Sequence, residues 1–481
     1  MDDAWRAGAA AMESALPKDL LALYALGAVE AALPLVAQVQ WLNDHAVGQA
    51  QQLRVFALGY ALFSLRPVYG SLADALASRY QRGRAVAYVG ASLCGALCHG
   101  MLALSGSVTV FAAAYALLCA CQACAETCLG ARLADIVAAG MGAGRAQAQA
   151  TAARWLGTLL AAGAGAILYR CDQTIPSPSV AFLAAAACPL VGSLVALTAA
   201  KQKPLTSERD APSTLPLLVL VQLVCAWVSA RGALSPGTWW ISGGVLLVVV
   251  VAALLVSRHK TTPLEEPLLA TKPTLTRWGA GPFLVAVAAV PSAAEVLANA
   301  RYARFSGKPC VLPLVQALGA AAAMLVCLVC VHRPPASHRA AAGAVVIAAV
   351  TTLAQLPVAR SVAAAMIGNA VDGADGAFLG VAATTMALRA AAGSDRRGAV
   401  YGAYLAAYDA GGAASGWLAV ALATACRTES SDPASVRRYL YVAAAAALLP
   451  LVFLPLAPGP PPAIKDFESS ESSDDEVSVV L

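Results

Sequence analysis

Charge is what this chain is short of. Of its 481 residues only 12% are Asp, Glu, Lys or Arg and 59% are hydrophobic, whereas a soluble domain is about 25% charged. A soluble globular fold of this length is thereby excluded, and an all-α, polytopic membrane protein is expected. With five histidines and no His-Glu-x-x-His or comparable array, the chain gives no metal or cofactor site and no metal-dependent enzyme to expect. Met1 to Lys18 is polar and the first apolar run is long enough to span, so a cleavable signal sequence is not expected either. The 13 cysteines sit mostly in apolar runs, where they act as small hydrophobes and indicate no disulfide framework. Cys121, Cys124 and Cys128 share a helix face at i, i+3 and i+7, but no histidine neighbours them, and packing is the simpler explanation.

What is present is a succession of long apolar runs. A hydrocarbon core of about 30 Å takes about 20 helical residues. Spanning helices are expected over 20–42, 52–75, 85–105, 107–130, 151–169 and 179–200, and again over 279–299, 311–331, 340–357, 361–388, 400–424 and 437–457. Two more apolar runs, 215–231 and 237–256, bring the expected total to about 14 and should form a hairpin outside the two bundles. The expected organisation is an N-terminal six-helix bundle (1–200), a linker with the two added helices (201–278), a C-terminal six-helix bundle (279–457) and a disordered, acidic tail (458–481). The tail has serines ahead of acidic residues, a pattern shared by solvated tails and by substrates of acid-directed kinases.

The basic residues divide unevenly between the two ends of these helices. Arg79, Arg82, Arg84, Arg132, Arg145, Lys201, Lys203, Arg258, Lys260, Arg389, Arg396 and Arg397 fall on one side, with fewer opposite, among them Arg301, Arg304 and Lys308. By the positive-inside rule both termini are cytosolic, and a plasma-membrane location is expected.

Ionisable residues inside apolar runs mark functional positions, because each costs about 2.5–3.5 kcal/mol to insert. The acids are Glu30, Glu126, Glu295, Asp372, Asp375 and Asp409, and Arg66 stands among them as a cation. Glu30, Asp372 and Asp375 fall near mid-depth, Glu126 nearer the basic side and Glu295 nearer the opposite one. Arg66 is expected either to attract a substrate carboxylate or to hold a buried acid. Glu30 or the Asp372/Asp375 pair is the candidate for a coupling proton; the alternative for Glu30 is an ion pair with Arg66.

The stretch Ser64 to Arg84 ends in Gly70-x-Leu72-Ala73-Asp74 followed by Arg79, Arg82 and Arg84. It resembles the loop between the second and third helices of major facilitator superfamily transporters. That resemblance implies a gate in which Asp74 latches to an arginine of the same layer, Arg84 or Arg145.

Further along, Arg66-Pro67-x-Tyr69-Gly70 with Asp74, Pro291-Ser292-Ala293-Ala294-Glu295, Tyr401-Gly402, the run Tyr408-Asp409-Ala-Gly411-Gly412-Ala-Ala-Ser415-Gly416, and Leu448-Leu-Pro450 to Pro455 resemble, in order and spacing, the signatures of the folate–biopterin transporter family. The departures are Gly130, where the family has the second of two aspartates in its fourth helix, Arg397 in place of an acid, and Asp409 in place of an asparagine. The resemblance implies a major-facilitator-like fold and a non-enzymatic, proton-coupled symporter of a folate or pterin in the lipid bilayer, with no nucleic-acid partner. S-adenosylmethionine is the alternative solute, since buried acids outnumber the single cation Arg66, and a non-transporting receptor on the same scaffold is a further one. Gly373-Ala374-Asp375 with Tyr408-Asp409 is similar to the paired motifs of membrane aspartyl proteases, but the order is reversed and Ala374 stands where glycine is needed.

Overall fold

The structure, a computed structural model, describes residues 15–63, 65–80, 82–169, 177–198, 287–290, 296–297, 300–301, 310–333, 338–354, 361–394, 397–429 and 432–453. The linker 201–278 with its expected hairpin, Glu295, Arg304, Lys308 and the tail 458–481 lie outside the described residues, as does most of the expected helix 279–299.

No strand occurs among the described residues. The first expected span is two helices, α1 (Lys18–Ala32) and α2 (Leu35–Asp44), that meet at Pro34. Proline lacks the N–H and clashes with the preceding turn, which bends the rod at this point. The second span likewise divides into α3 (Gln49–Phe63) and α4 (Arg66–Arg79), with Pro67 in the first turn of α4, where a missing N–H is harmless. Next come α5 (Gly83–Ala103), α6 (Val108–Ala138), α7 (Ala143–Leu168) and α8 (Pro178–Thr198). After the linker follow α9 (Val311–His332), α10 (His338–Ala354), α11 (Val362–Ala392), α12 (Arg397–Ala425), α13 (Pro433–Ala446) and the short α14 (Pro450–Phe453).

The two sets echo one another. Both α6 and α11 run for 31 residues, and each begins at a serine, Ser107 or Ser361, whose hydroxyl accepts from the N–H three residues on. This N-cap satisfies one of the donors left over at a helix start. Seven stretches among the described residues are long and apolar enough to cross a membrane. Many of their large apolar side chains, such as Leu97, Ile167 and Leu194, lie on the outer surface, as lipid contact requires.

Helices of 18–198 pack mainly with one another, α5 against α6 and α8, and α1 against α7 and α8, while α9, α10, α12 and α13 are grouped with α11 or with each other. The two sets meet where α3, α4 and α6 face α12, where α7 faces α9 and where α6 and α7 face α11. At the basic end, Ala73, Leu129 and Leu133 of the first set share a buried cluster with Ala387, Leu388 and Leu405 of the second. At the other end, Leu53 joins Val420, Tyr439 and Leu440.

One expectation about cysteine needs correction. Ten described cysteines are free, but Cys310, at the start of α9, is disulfide-bonded to a residue outside the described set. Spacing did not reveal this, because Cys310 sits in a polar connection and has no regularly spaced partner.

Candidate functional site

Between the two sets lies a cavity of about 730 Å³, within the 300–1,000 Å³ usual for sites that enclose a small solute. Its first-set wall carries Tyr24, Gln122, Glu126, Gln147 and Arg154, and its second-set wall Gln316, Asn369, Asp372 and Tyr408.

A chain of four charges backs this cavity. Arg66, at the start of α4, donates from Nε to Asp409 Oδ2 of α12 at 2.5 Å and from Nη2 to Glu126 Oε2 of α6 at 2.8 Å. The other oxygen of Glu126 meets Nη2 of Arg154, on α7, at 2.7 Å. Two guanidiniums and two carboxylates thus sum to zero charge in a place where a lone charge would cost several kcal/mol. Aromatic rings support both cations: Phe63 lies 5.0 Å from the Arg66 guanidinium carbon, and Tyr24 lies 5.3 Å from that of Arg154. Arg66 and Asp409 are almost wholly enclosed, with side chains 6% and 9% exposed, whereas that of Arg154 is 39% exposed and faces the cavity.

Arg66 therefore holds two acids, the half-buried Glu126 and the buried Asp409, rather than reaching into the cavity. Arg154 escaped the sequence reading, although a cation within the expected span 151–169 is the same signal that singled out Arg66.

Glu30 is placed differently from the expected pairing with Arg66. Its Oε1 lies 3.5 Å from Nε2 of His99, on α5, in the interior of the first set. The cavity is lined by Gly27, Ala28 and Ala31 of the same helix, so Glu30 looks away from it. Asp372 lines the cavity, and Asp375, one turn on, is buried to one side of it. Asn369, one turn before Asp372, accepts from Nη1 of Arg301 at 3.0 Å and donates to the Val315 carbonyl at 2.8 Å.

The expected pairing of Asp74 with Arg84 is present at the basic end. Arg84 Nη2 donates to Asp74 Oδ1 at 2.9 Å, and its Nη1 also bonds Asp135 of α6. Asp74 reaches across to the second set as well: it accepts from the N–H groups of Gly398 at 3.1 Å and Ala399 at 2.9 Å, in the first turn of α12. Those are leftover donors at the positive end of a helix dipole, where an anion is favoured. Arg397 completes the bridge, donating to Asp135 at 2.8 Å. Asp135 and Arg397 were not anticipated as gate residues. Arg79 is exposed at the end of α4, and Arg82 donates to the Leu197 carbonyl at 2.9 Å, so neither belongs to the cross-set bridge.

Two sets of helices closing on a largely apolar cavity that carries a few charged groups, with a charged bridge at one end, make a major-facilitator-like fold. Its long apolar helices make the chain an integral, multi-pass membrane protein. Among solved structures, the chain is similar to the human organic anion transporter MFSD10 (TETRAN), with a TM-score of 0.56, 16% identity and coverage of 91% of this chain and 97% of that one. It is also similar to a POT family transporter in complex with 5-aminolevulinic acid, with a TM-score of 0.61, 12% identity and coverage of 91% and 95%. A third is the nucleoside transporter NupG, with a TM-score of 0.52, 12% identity and coverage of 91% and 98%. At these identities the likeness is one of fold. No protein-family model matches the sequence, and no curated protein matches it.

Proposed function

We propose that the protein is a secondary active transporter that works by alternating access, takes a pteridine-type solute of the folate or biopterin kind and is driven by protons. The observation that carries the transport reading is the Arg66–Asp409 pair. It ties the two sets together at 2.5 Å, between the Asp74 bridge at one end and the Leu53 cluster at the other. Contacts at the two ends must open in turn as the halves rock, and a tie between them is placed to serve as the pivot.

Protonating Asp409 would remove one of the two counter-charges of Arg66 and loosen that tie. Proton coupling is therefore assigned to Asp409, with Asp372 in the cavity wall and the buried Asp375 beside it as further candidates, rather than to Glu30. The pteridine class rests on the ordered motifs between Arg66 and Pro455. The basic end is taken as cytosolic, and the disulfide of Cys310 at the opposite end supports placing that end in oxidising surroundings.

A second solute, S-adenosylmethionine, is favoured by one observation: Asp372 lines the cavity with no hydrogen bond or ion pair among the described residues, the Arg301 guanidinium that acts on it electrostatically being bonded to Asn369 instead. Uptake of labelled folate, biopterin and S-adenosylmethionine into proteoliposomes, with and without an imposed pH gradient, decides between them. The expected result is accumulation of a pteridine that collapses with the gradient. Accumulation of S-adenosylmethionine alone would shift the substrate class, and binding without uptake of any of the three would indicate a receptor.

A further inference from the structure

The walls of the cavity differ in charge chemistry. On the first-set side Arg154 shows a partly exposed guanidinium, held at one nitrogen by Glu126 and flanked by the Tyr24 ring. On the second-set side Asp372 shows a carboxylate that no protein donor among the described residues satisfies. Between them α11 presents Gly376 and Gly380, both lining the cavity and both with open space where a side chain would be. Asp372, Gly376, Gly380 and Thr384 follow at intervals of four, so they form one stripe along a single helix face.

The separation of the two charged groups follows from the packing. Trp155, next to Arg154, packs against a cluster that joins Ala323 and Cys327 of α9 to Ala377 and Val381 of α11. Arg154 and Asp372 thus stand on facing walls of the cavity, one on α7 and the other on α11. A buried amide, Gln38, 3% exposed and with its Oε1 unpartnered, also lines the cavity and is available for hydrogen bonding.

We infer that the cavity recognises an amphoteric solute: a carboxylate at Arg154, a flat body over the Gly376–Gly380 shelf, and a hydrogen-bond-donating or cationic end at Asp372. This deepens the pteridine reading and rests on it for the solute named first. Of the two pteridines, folate has both ends, an aminopyrimidinone edge and a glutamate tail, whereas biopterin lacks the carboxylate.

The test uses the full chain in lipid nanodiscs and measures binding of folate and of folate whose tail carboxylates are converted to amides. In the unsubstituted protein the acid should bind at least about tenfold tighter than the amide, the gain expected of a charge-assisted hydrogen bond. In Arg154→Gln that ratio should fall towards one, and in Arg154→Lys, which keeps the charge, most of it should persist. Asp372→Asn should weaken acid and amide alike and leave the ratio intact. A ratio near one in the unsubstituted protein, or one that survives Arg154→Gln, would overturn the inference.

If neither pteridine binds, the pteridine reading fails by itself. The same comparison is then made with an extended tripeptide and its C-terminal amide, where loss of the ratio in Arg154→Gln would uphold the amphoteric site and an unchanged ratio would refute it.

Discussion

Arg66 and Asp409 stand 343 residues apart in the chain, yet their side chains meet at 2.5 Å, one from each half of the molecule. Neither is replaceable on equal terms, because Arg66 has a second acid, Glu126, whereas Asp409 has only Arg66 as an ion-pair partner among the described residues.

Arg66→Ala is expected to leave the buried Asp409 carboxylate without its partner, while Glu126 keeps Arg154, at a cost of about 3–5 kcal/mol. Low yield and a reduced melting temperature in nanodiscs would show it. Asp409→Asn should be milder, since Glu126 still holds Arg66, and it separates folding from coupling. The expected outcome is intact solute exchange with lost accumulation under a pH gradient, measured by counterflow and gradient-driven uptake in the same vesicles. Full accumulation by Asp409→Asn would move the coupling role to Asp372 or Asp375.

At the basic end, Asp74→Asn should weaken three contacts together: the bond from Arg84 and the two from the start of α12. The closed arrangement of that end then loses population. A cysteine introduced at Ala387, which is fully buried in the cluster beneath the bridge, should be modified faster by a thiol reagent in Asp74→Asn than in its parent. Equal rates would mean that the bridge does not govern opening.

Gly70 offers a steric test of the same contact. A side-chain carbon there would collide with the backbone carbonyl of Gly398, which cannot step aside as a flexible side chain would. Gly70→Ala should thus cost about 1–3 kcal/mol of the closed arrangement and give the same rise in Ala387→Cys reactivity with every charge intact. Gly163→Ala, where nothing lies within 4 Å, is the matched control.

Glu30→Gln tests the placement of Glu30 against His99. Pairing inside the first set predicts reduced thermal stability, on the order of 1–3 kcal/mol for a buried partner left unsatisfied, with gradient-driven uptake retained. Loss of accumulation with normal stability and exchange would return the coupling role to Glu30.

The sequence by itself determined the membrane class, the run of helices and the individual positions where charge is buried, because apolar length and inserted charge are local properties of the chain. The motif at Gly70 to Arg84 even placed Asp74 beside its arginine, since both ends of that contact lie on consecutive helices. Tertiary structure alone decided which charges share a partner. Arg66, Glu126, Arg154 and Asp409 come from four helices, and nothing local to any of them encodes the rotation that turns each towards the others. The same holds within one turn of α1, where Ala31 faces the cavity and Glu30 faces His99. About 100° of helix rotation separates neighbouring residues, and packing against α5, α7 and α8 fixes which of them meets the solute.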